Sequence, residues 1–174
     1  MLDEPFTHLD NLENLLKEVQ LLKIRQPIFI KMKNEITTEK LDGLIKKCLA
    51  YGIKGFVLTN LVKSRENKYL DPKDLDKVKN LKGNFSGLPV AENANKLISH
   101  VYTKYGRDCK IIGCGGVFNA TDAYLKIKLG ASLVQMITGM VYEGPGIINS
   151  INRGLVKLLE KDGFKTVGDA VGTI

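Results

Sequence analysis

Four places along the chain combine residue types that could do chemistry. Lys31 closes the apolar run PIFIK. An apolar segment that spends its last inward position on a cation can set a positive charge beside an electron-rich cofactor, stabilising its reduced, anionic form. A lysine snorkelling at a rim is the plainer alternative. Thr59 and Asn60 follow a second apolar run, GFVL. Gly115 and Gly116 follow KIIGC, and Ile137, Thr138 and Gly139 follow SLVQM. Glycines at such points let the backbone come close to a ligand, and the start of a following helix offers free N–H groups to an anion. Thr138 adds a hydroxyl. Tight turns would need the same glycines, so both readings stand.

The elements that must position these residues are legible as alternating patterns. Leu12, Leu15, Leu16, Val19 and Leu22 recur at helical spacing and predict a helix from about Leu9 to Leu22. A strand follows at Pro27–Lys31. Thr37 can cap a helix that carries Leu41, Leu44, Ile45, Cys48 and Leu49 on one face and ends at Gly52. Gly55–Thr59 is a second strand. The stretch from Asn60 to Pro89 is too long and polar for an ordinary connection, which marks it as functional or mobile. A helix spans about Glu92–Tyr105, with Leu97, Ile98 and Val101 in phase. Lys110–Cys114 is a third strand. Asn119 or Thr121 caps a helix running through Leu129, with Gly130 as its stop. Ser132–Met136 is a fourth strand, and a long helix covers about Pro145–Asp162.

Strand and helix in alternation demand parallel strands joined by right-handed crossovers. Strands of this length, buried on both faces, suit that arrangement. Four such units make half of an eight-unit βα barrel, in which the working face lies at the C-terminal ends of the strands. A four-stranded open sheet is the alternative. In a barrel, the two glycine-bearing strand ends would form a recurrent phosphate site. The chain reads as one α/β half-barrel domain over residues 1–174, with a leading helix in 1–26, four βα units in 27–174 and a long loop at 60–90.

Composition narrows the partners. The net charge of +7 comes mostly from lysines spread through helices and loops. Nucleic-acid binders more often cluster basic residues on one face, so no nucleic acid is expected. A mild pull on anionic ligands remains. No run of about 18 apolar residues exists, so no membrane segment is expected. The N-terminus has the features of neither a signal nor a transit peptide. Cys48, Cys109 and Cys114 have no metal-ligand spacing, and their odd number speaks for a reducing, intracellular setting. Cys114 fills a small slot at a strand end, Ser86 serves a turn or a ligand contact, and His8 and His100 lie on polar, exposed helix surfaces. Asp122, Glu143 and Asp162 read as helix-terminus residues.

Further segments bring a family into focus. FIK, then TN with KSR two residues on, then GNFSGLPV, then IIGCGGVFNATDAYLKIKLGASLVQMITGMVYEGPGIINSINRGL, then LLEKDGF occur in the order of class 2 dihydroorotate dehydrogenases, the quinone-dependent, membrane-type family. The chain resembles the C-terminal half of that family over nearly its whole length. The resemblance implies oxidation of dihydroorotate to orotate with FMN, in de novo pyrimidine (UMP) biosynthesis, with electrons passed to quinone. It implies that Lys31 sits near the flavin ring and that Thr59 meets the flavin through its backbone. Gly87, Gly115 and Gly116 would approach the flavin or its phosphate, while Ile137 and Thr138, with Gly139 beside them, would give backbone N–H groups to that phosphate. Asn60 would hydrogen-bond the orotate ring. Intact family members lie peripherally on the bacterial cytoplasmic or mitochondrial inner membrane.

The chain also departs from the family. Leu61 stands where a threonine usually touches substrate, and a leucine cannot hydrogen-bond orotate. Met32-Lys33-Asn34-Glu35 replaces a leucine or isoleucine followed by alanine, proline and aspartate. One glycine of the GGLSG pattern is gone at Gly83-Asn84-Phe85-Ser86-Gly87, and Ile137 stands where tyrosine is frequent. The family's serine base, its orotate-holding asparagines and its membrane-facing helices belong to a first half outside this sequence, so no catalytic residue and no metal ligand is expected here. Two readings follow: an enzyme portion active beside an N-terminal half, or a non-catalytic half-barrel that at most binds FMN or phosphate. In either, PIFIK and SLVQM should be open sheet edges, with Phe29 and Val134 facing inward onto a missing core, so that an N-terminal half or a homodimer must close the barrel.

Overall fold

The computed structural model describes residues 8–174. Four parallel strands form one sheet in the order β1-β2-β3-β4: β1 (Phe29–Met32), β2 (Gly55–Leu58), β3 (Lys110–Cys114) and β4 (Leu133–Gln135). Phe29 pairs with Gly55, Gly55 with Lys110, and Ile112 with Leu133. β1 begins two residues later than its sequence suggests, because its register opens at Phe29; Pro27 has no N–H to give a ladder.

The helices lie over one side of the sheet. α1 (Leu9–Leu21) lays Leu12 and Leu16 against α2 (Thr38–Ala50), whose Leu41, Leu44, Ile45 and Cys48 are buried. Thr37 caps α2 by accepting from the Lys40 N–H. Met32, Phe56, Leu58 and Ile111 point into this same cluster, joined by Leu97, Ile98 and Val101 of α4 (Leu88–Tyr105). Further along, α5 (Ala120–Lys128) and α7 (Gly146–Lys161) pack together through Ala123, Ile147 and Ile151. Three short helices escape the periodicity: α3 (Pro72–Lys77) in the long β2–α4 connection, α6 (Thr138–Glu143) and α8 (Val167–Ala170). A helix of one or two turns is too short to repeat an apolar position.

The other side of the sheet is open. Alternation along each strand sends Phe29 and Lys31, Gly55 and Val57, Ile112 and Cys114, and Leu133 and Gln135 to that side. Leu133 is 62% exposed and Phe29 37%. Two expectations need correction. Only β2 is buried along its whole length. And Val134 packs among Met136, Leu155 and Ile151 on the helix side, leaving Leu133 as the inward apolar residue of β4. The edges of the sheet are β1 and β4, as expected. The architecture is half of a TIM-type (β/α)8 barrel.

Candidate functional site

The C-terminal ends of all four strands converge on one cleft. Lys31 reaches it from β1, Thr59, Asn60 and Leu61 from β2, Cys114 with Gly115 and Gly116 from β3, and Met136 with Ile137 and Thr138 from β4. Ser86 and Gly87 close one side. Every expected site residue is therefore on the cleft wall except Gly139. That glycine is buried in α6, where a Cβ would meet the Val117 carbonyl at 2.6 Å. The enclosed space is small, about 60 Å³, and admits a group of a few heavy atoms rather than a ring system. A roomier cleft, about 520 Å³, lies at the opposite ends of the strands beside Lys23, Arg25 and Lys110. It receives none of the strand C-termini that carry the polar residues.

The β1 and β2 ends are locked by a buried amide. Asn34 is 2% exposed. Its Nδ2 donates to Thr59 Oγ1 at 2.8 Å and to the Val90 carbonyl at 3.0 Å, and the Asn34 main-chain carbonyl accepts from Asn93 Nδ2. The Thr59 N–H donates to the Cys114 carbonyl, and the Asn60 N–H to the Met32 carbonyl. The Leu58–Thr59 peptide bond is cis. These bonds hold the main chain of Thr59 and leave the Asn60 side chain exposed on the cleft. Glu35, next to Asn34, accepts the N–H groups of Lys63 and Ser64 at 2.7 and 2.9 Å. It pins the start of the long connection, whose ends meet again where Val62 and Phe85 exchange backbone hydrogen bonds.

The glycines are demanded by packing. Gly115 and Gly116 have φ of 106° and 68°, and a Cβ at each would strike Val90 and Ala91 at the start of α4. Gly87, at φ 79°, opens α4 against Thr138 and Phe118. Close approach of α4 to the β3–α5 turn is thus the first reason for these residues. The turns still leave backbone donors free. The N–H groups of Gly116, Ile137 and Thr138 donate to no backbone carbonyl among the described residues. Thr138 Oγ1 donates to Ser86 Oγ at 2.9 Å, tying the β4 end to the long connection.

Charge at the site is positive. Lys31 Nζ lies 3.8 Å from Cys114 Sγ on the open side of the sheet. Behind the sheet, Lys126 is 1% exposed and donates to Asn95 Oδ1 at 2.7 Å. Desolvation pushes its pKa down to about 8, against weaker support from Cys114 and Asp122. Asp122 accepts the Phe118 N–H, and its own N–H is capped by Asn119. Sequence reasoning passed over Asn34, Glu35 and Lys126; the departures at 34 and 35 carried a signal, whereas Lys126 reads as one more surface lysine.

His100 is corrected: it is partly buried, with Nε2 2.8 Å from Asp42 Oδ1. Asp42 also pairs with Lys104, and although burial opposes its charge, these two partners hold its carboxyl below the usual range. Asp162 caps α7 as expected and also accepts from Tyr124 Oη and Lys128 Nζ, joining α7 to α5. Among the described residues no cluster of potential ligands could hold a metal ion, and no helix is long and apolar enough to cross a membrane.

A half-barrel with polar groups and free backbone donors at its strand C-termini has the layout of the ligand-binding half of a βα-barrel enzyme. Residues 5–159 match the family described as dihydroorotate dehydrogenase, and the chain belongs to that family. It is 37% identical over 147 residues to a dihydroorotate dehydrogenase (quinone) from Anaeromyxobacter sp., covering 84% of this chain and 39% of the relative. A protein of the same name from Natronomonas pharaonis is 37% identical over 164 residues, covering 94% of this chain and 44% of the relative. The fold superposes on the crystal structure of a ligand-free DHODH from Eimeria tenella with a TM-score of 0.84 and 25% identity, covering 97% of this chain and 50% of that one. The chain spans half or less of the length of these relatives.

Proposed function

We propose that this chain is the FMN-binding portion of a quinone-type dihydroorotate dehydrogenase. The observation that carries the reading is convergence: Lys31, Thr59, Asn60, Gly116, Ile137 and Thr138 meet at one cleft in a chain of this family. The fit is asymmetric. Free N–H groups at Gly116, Ile137 and Thr138 in a cleft of about 60 Å³ suit a phosphate. A ring system needs the open side of the sheet, where Lys31 stands.

When bound, FMN supplies the two-electron acceptor for oxidation of dihydroorotate to orotate, which then delivers to quinone. The chain's own residues do the rest. Gly116, Ile137 and Thr138 hold the phosphate with backbone donors. Lys31 offers positive charge where negative charge accumulates. Thr59, fixed through Asn34, presents its main chain to the flavin. Asn60 offers an amide to the substrate ring, and Leu61 beside it excludes water without hydrogen bonding. None of the described side chains here supplies a base.

Closure of the open side belongs to this reading. An eight-stranded barrel carries one helix per strand. Here α1 packs on the common core through Leu12 and Leu16 and counts as the helix ahead of β1. A segment of four strands and three helices would complete the count, whereas a second copy would exceed it; an N-terminal segment is the preferred complement and a homodimer the alternative.

A second reading, a half-barrel that binds FMN or phosphate without turnover, is favoured by Leu61. The two separate on one experiment. The chain should show no dihydroorotate oxidation alone, since loss of a positioned base costs about 10²–10⁴ in rate. It should gain dye-coupled turnover when co-refolded with the preceding segment of the Anaeromyxobacter relative. FMN retention without turnover in that complex selects the second reading. Turnover by the chain alone within roughly tenfold of a full-length relative would sink both.

A further inference from the structure

We infer that Cys114 and Lys31 form a modifiable thiol site in the wall of the cleft, reactive towards hydroperoxides and soft electrophiles, whose modification obstructs the cleft.

The chain has three cysteines, all free. Cys48 and Cys109 are buried, at 0% and 5% exposure, and burial pushes each thiol up to about 11. They have no access, and at Cys109 burial outweighs the neighbouring Lys110. Cys114 differs on both counts. It is only partly buried, and its side chain leaves β3 on the open side of the sheet. Lys31, two strands away, reaches over Val57 of β2 to bring Nζ to 3.8 Å from Sγ. Neither side chain has another hydrogen-bond partner among the described residues. Reactive thiols occur in partly exposed, electropositive surroundings, since the anionic sulfur is the nucleophile. An ammonium beside Sγ and the backbone turn of Gly115 and Gly116 supply those surroundings.

With hydrogen peroxide the step balances simply. Sγ attacks one peroxide oxygen, an S–O bond forms and the O–O bond breaks. The sulfur loses two electrons, and the departing hydroxide takes up the thiol proton and leaves as water. The product, Cys114 sulfenic acid, carries its new oxygen into a space of about 60 Å³ and towards Lys31. Either effect competes with a ligand there. Reactivity of the thiol stands on the geometry alone; the consequence for FMN rests on the functional reading above.

Timed treatment of the whole chain with peroxide plus a sulfenic-acid trap, and separately with iodoacetamide, followed by peptide mass spectrometry, tests this. Cys114 should be labelled first. Lys31→Met should slow it about fivefold, the scale of a unit-charge interaction at that distance in water, and Lys31→Arg should restore it. Saturating FMN should protect it. Cys48 and Cys109, silent in folded protein, report any variant that unfolds. Slowing by Lys31→Met without protection by FMN upholds the thiol site and counts against the flavin reading. Labelling of Cys114 no faster than of the buried pair, or at the same rate in folded Lys31→Met, overturns the inference.

Discussion

Asn34 Nδ2 lies 2.8 Å from Thr59 Oγ1, and both residues are almost wholly buried. One amide thereby joins the ends of β1 and β2 to the first turn of α4. Asn34→Ala would leave the Val90 carbonyl without its side-chain donor and Thr59 Oγ1 without its incoming bond. Buried polar groups stripped of partners cost about 1–3 kcal/mol each. A loss of about 2–4 kcal/mol in urea unfolding is expected, with weaker FMN binding at Thr59. A loss under about 0.5 kcal/mol, the level of a neutral surface change, would show that the network is slack.

FMN should bind this chain through its phosphate. The free N–H groups of Gly116, Ile137 and Thr138 are in place, whereas the open side offers only part of a ring's surroundings. Hydrogen bonds to a charged group contribute about 1.5–3 kcal/mol each. Riboflavin should therefore bind at least about tenfold more weakly in isothermal titration. Equal affinities would refute the phosphate role of this turn.

Lys126 gives a pH-dependent prediction. Its folded pKa, about 8, lies below the ordinary 10.5 because burial disfavours the ammonium. Between those values the unfolded chain binds more protons, so this group's contribution to stability rises with pH across that window. Below about 8 the fold bears the full cost, on the order of 3 kcal/mol by linkage. Cys48 and Cys109 act in the opposite sense above pH 9, so the test is the difference between variant and parent. Lys126→Met should be more stable than the parent by about 1–3 kcal/mol at pH 7. That advantage should shrink towards pH 10.5. A constant difference across the window would mean the lysine holds its proton as tightly in the fold as in the unfolded chain.

The open side should prevent a bare monomer from persisting. Phe29 and Leu133 are exposed on it, and Ile137, Val141 and Tyr142 extend the apolar surface beyond β4. Each large apolar side chain left in water forgoes about 1.5–3 kcal/mol. Unprotected strand edges at β1 and β4 add a route to self-association. Sedimentation at micromolar concentration should give heterogeneous association for the chain alone. A defined one-to-one complex should form once a four-stranded complement is present. A cooperative, well-folded monomer is the outcome that contradicts this.

The sequence by itself determined the order of the strands and long helices, the parallel topology and which strand ends meet at the cleft. Hydrophobic periodicity is a local property, and it placed β2, β3, α2 and α7 within a residue of their ends. Glycines and polar residues after each strand marked the working end, because side chains there have no helix to cover them. Local pattern could not find pairings across elements. Asn34 with Thr59, His100 with Asp42 and Lys126 with Asn95 each join residues 25 or more positions apart, and a lysine facing a neighbouring helix reads the same as one facing water. Nor could it find which residue of β4 faces inward. Leu133 and Val134 are adjacent apolar residues, and the one that turns inward depends on the register of β4 against β3. Only the tertiary arrangement decided that Val134 packs under the helices while Leu133 joins Phe29, Lys31 and Cys114 on the open inner face of half a barrel.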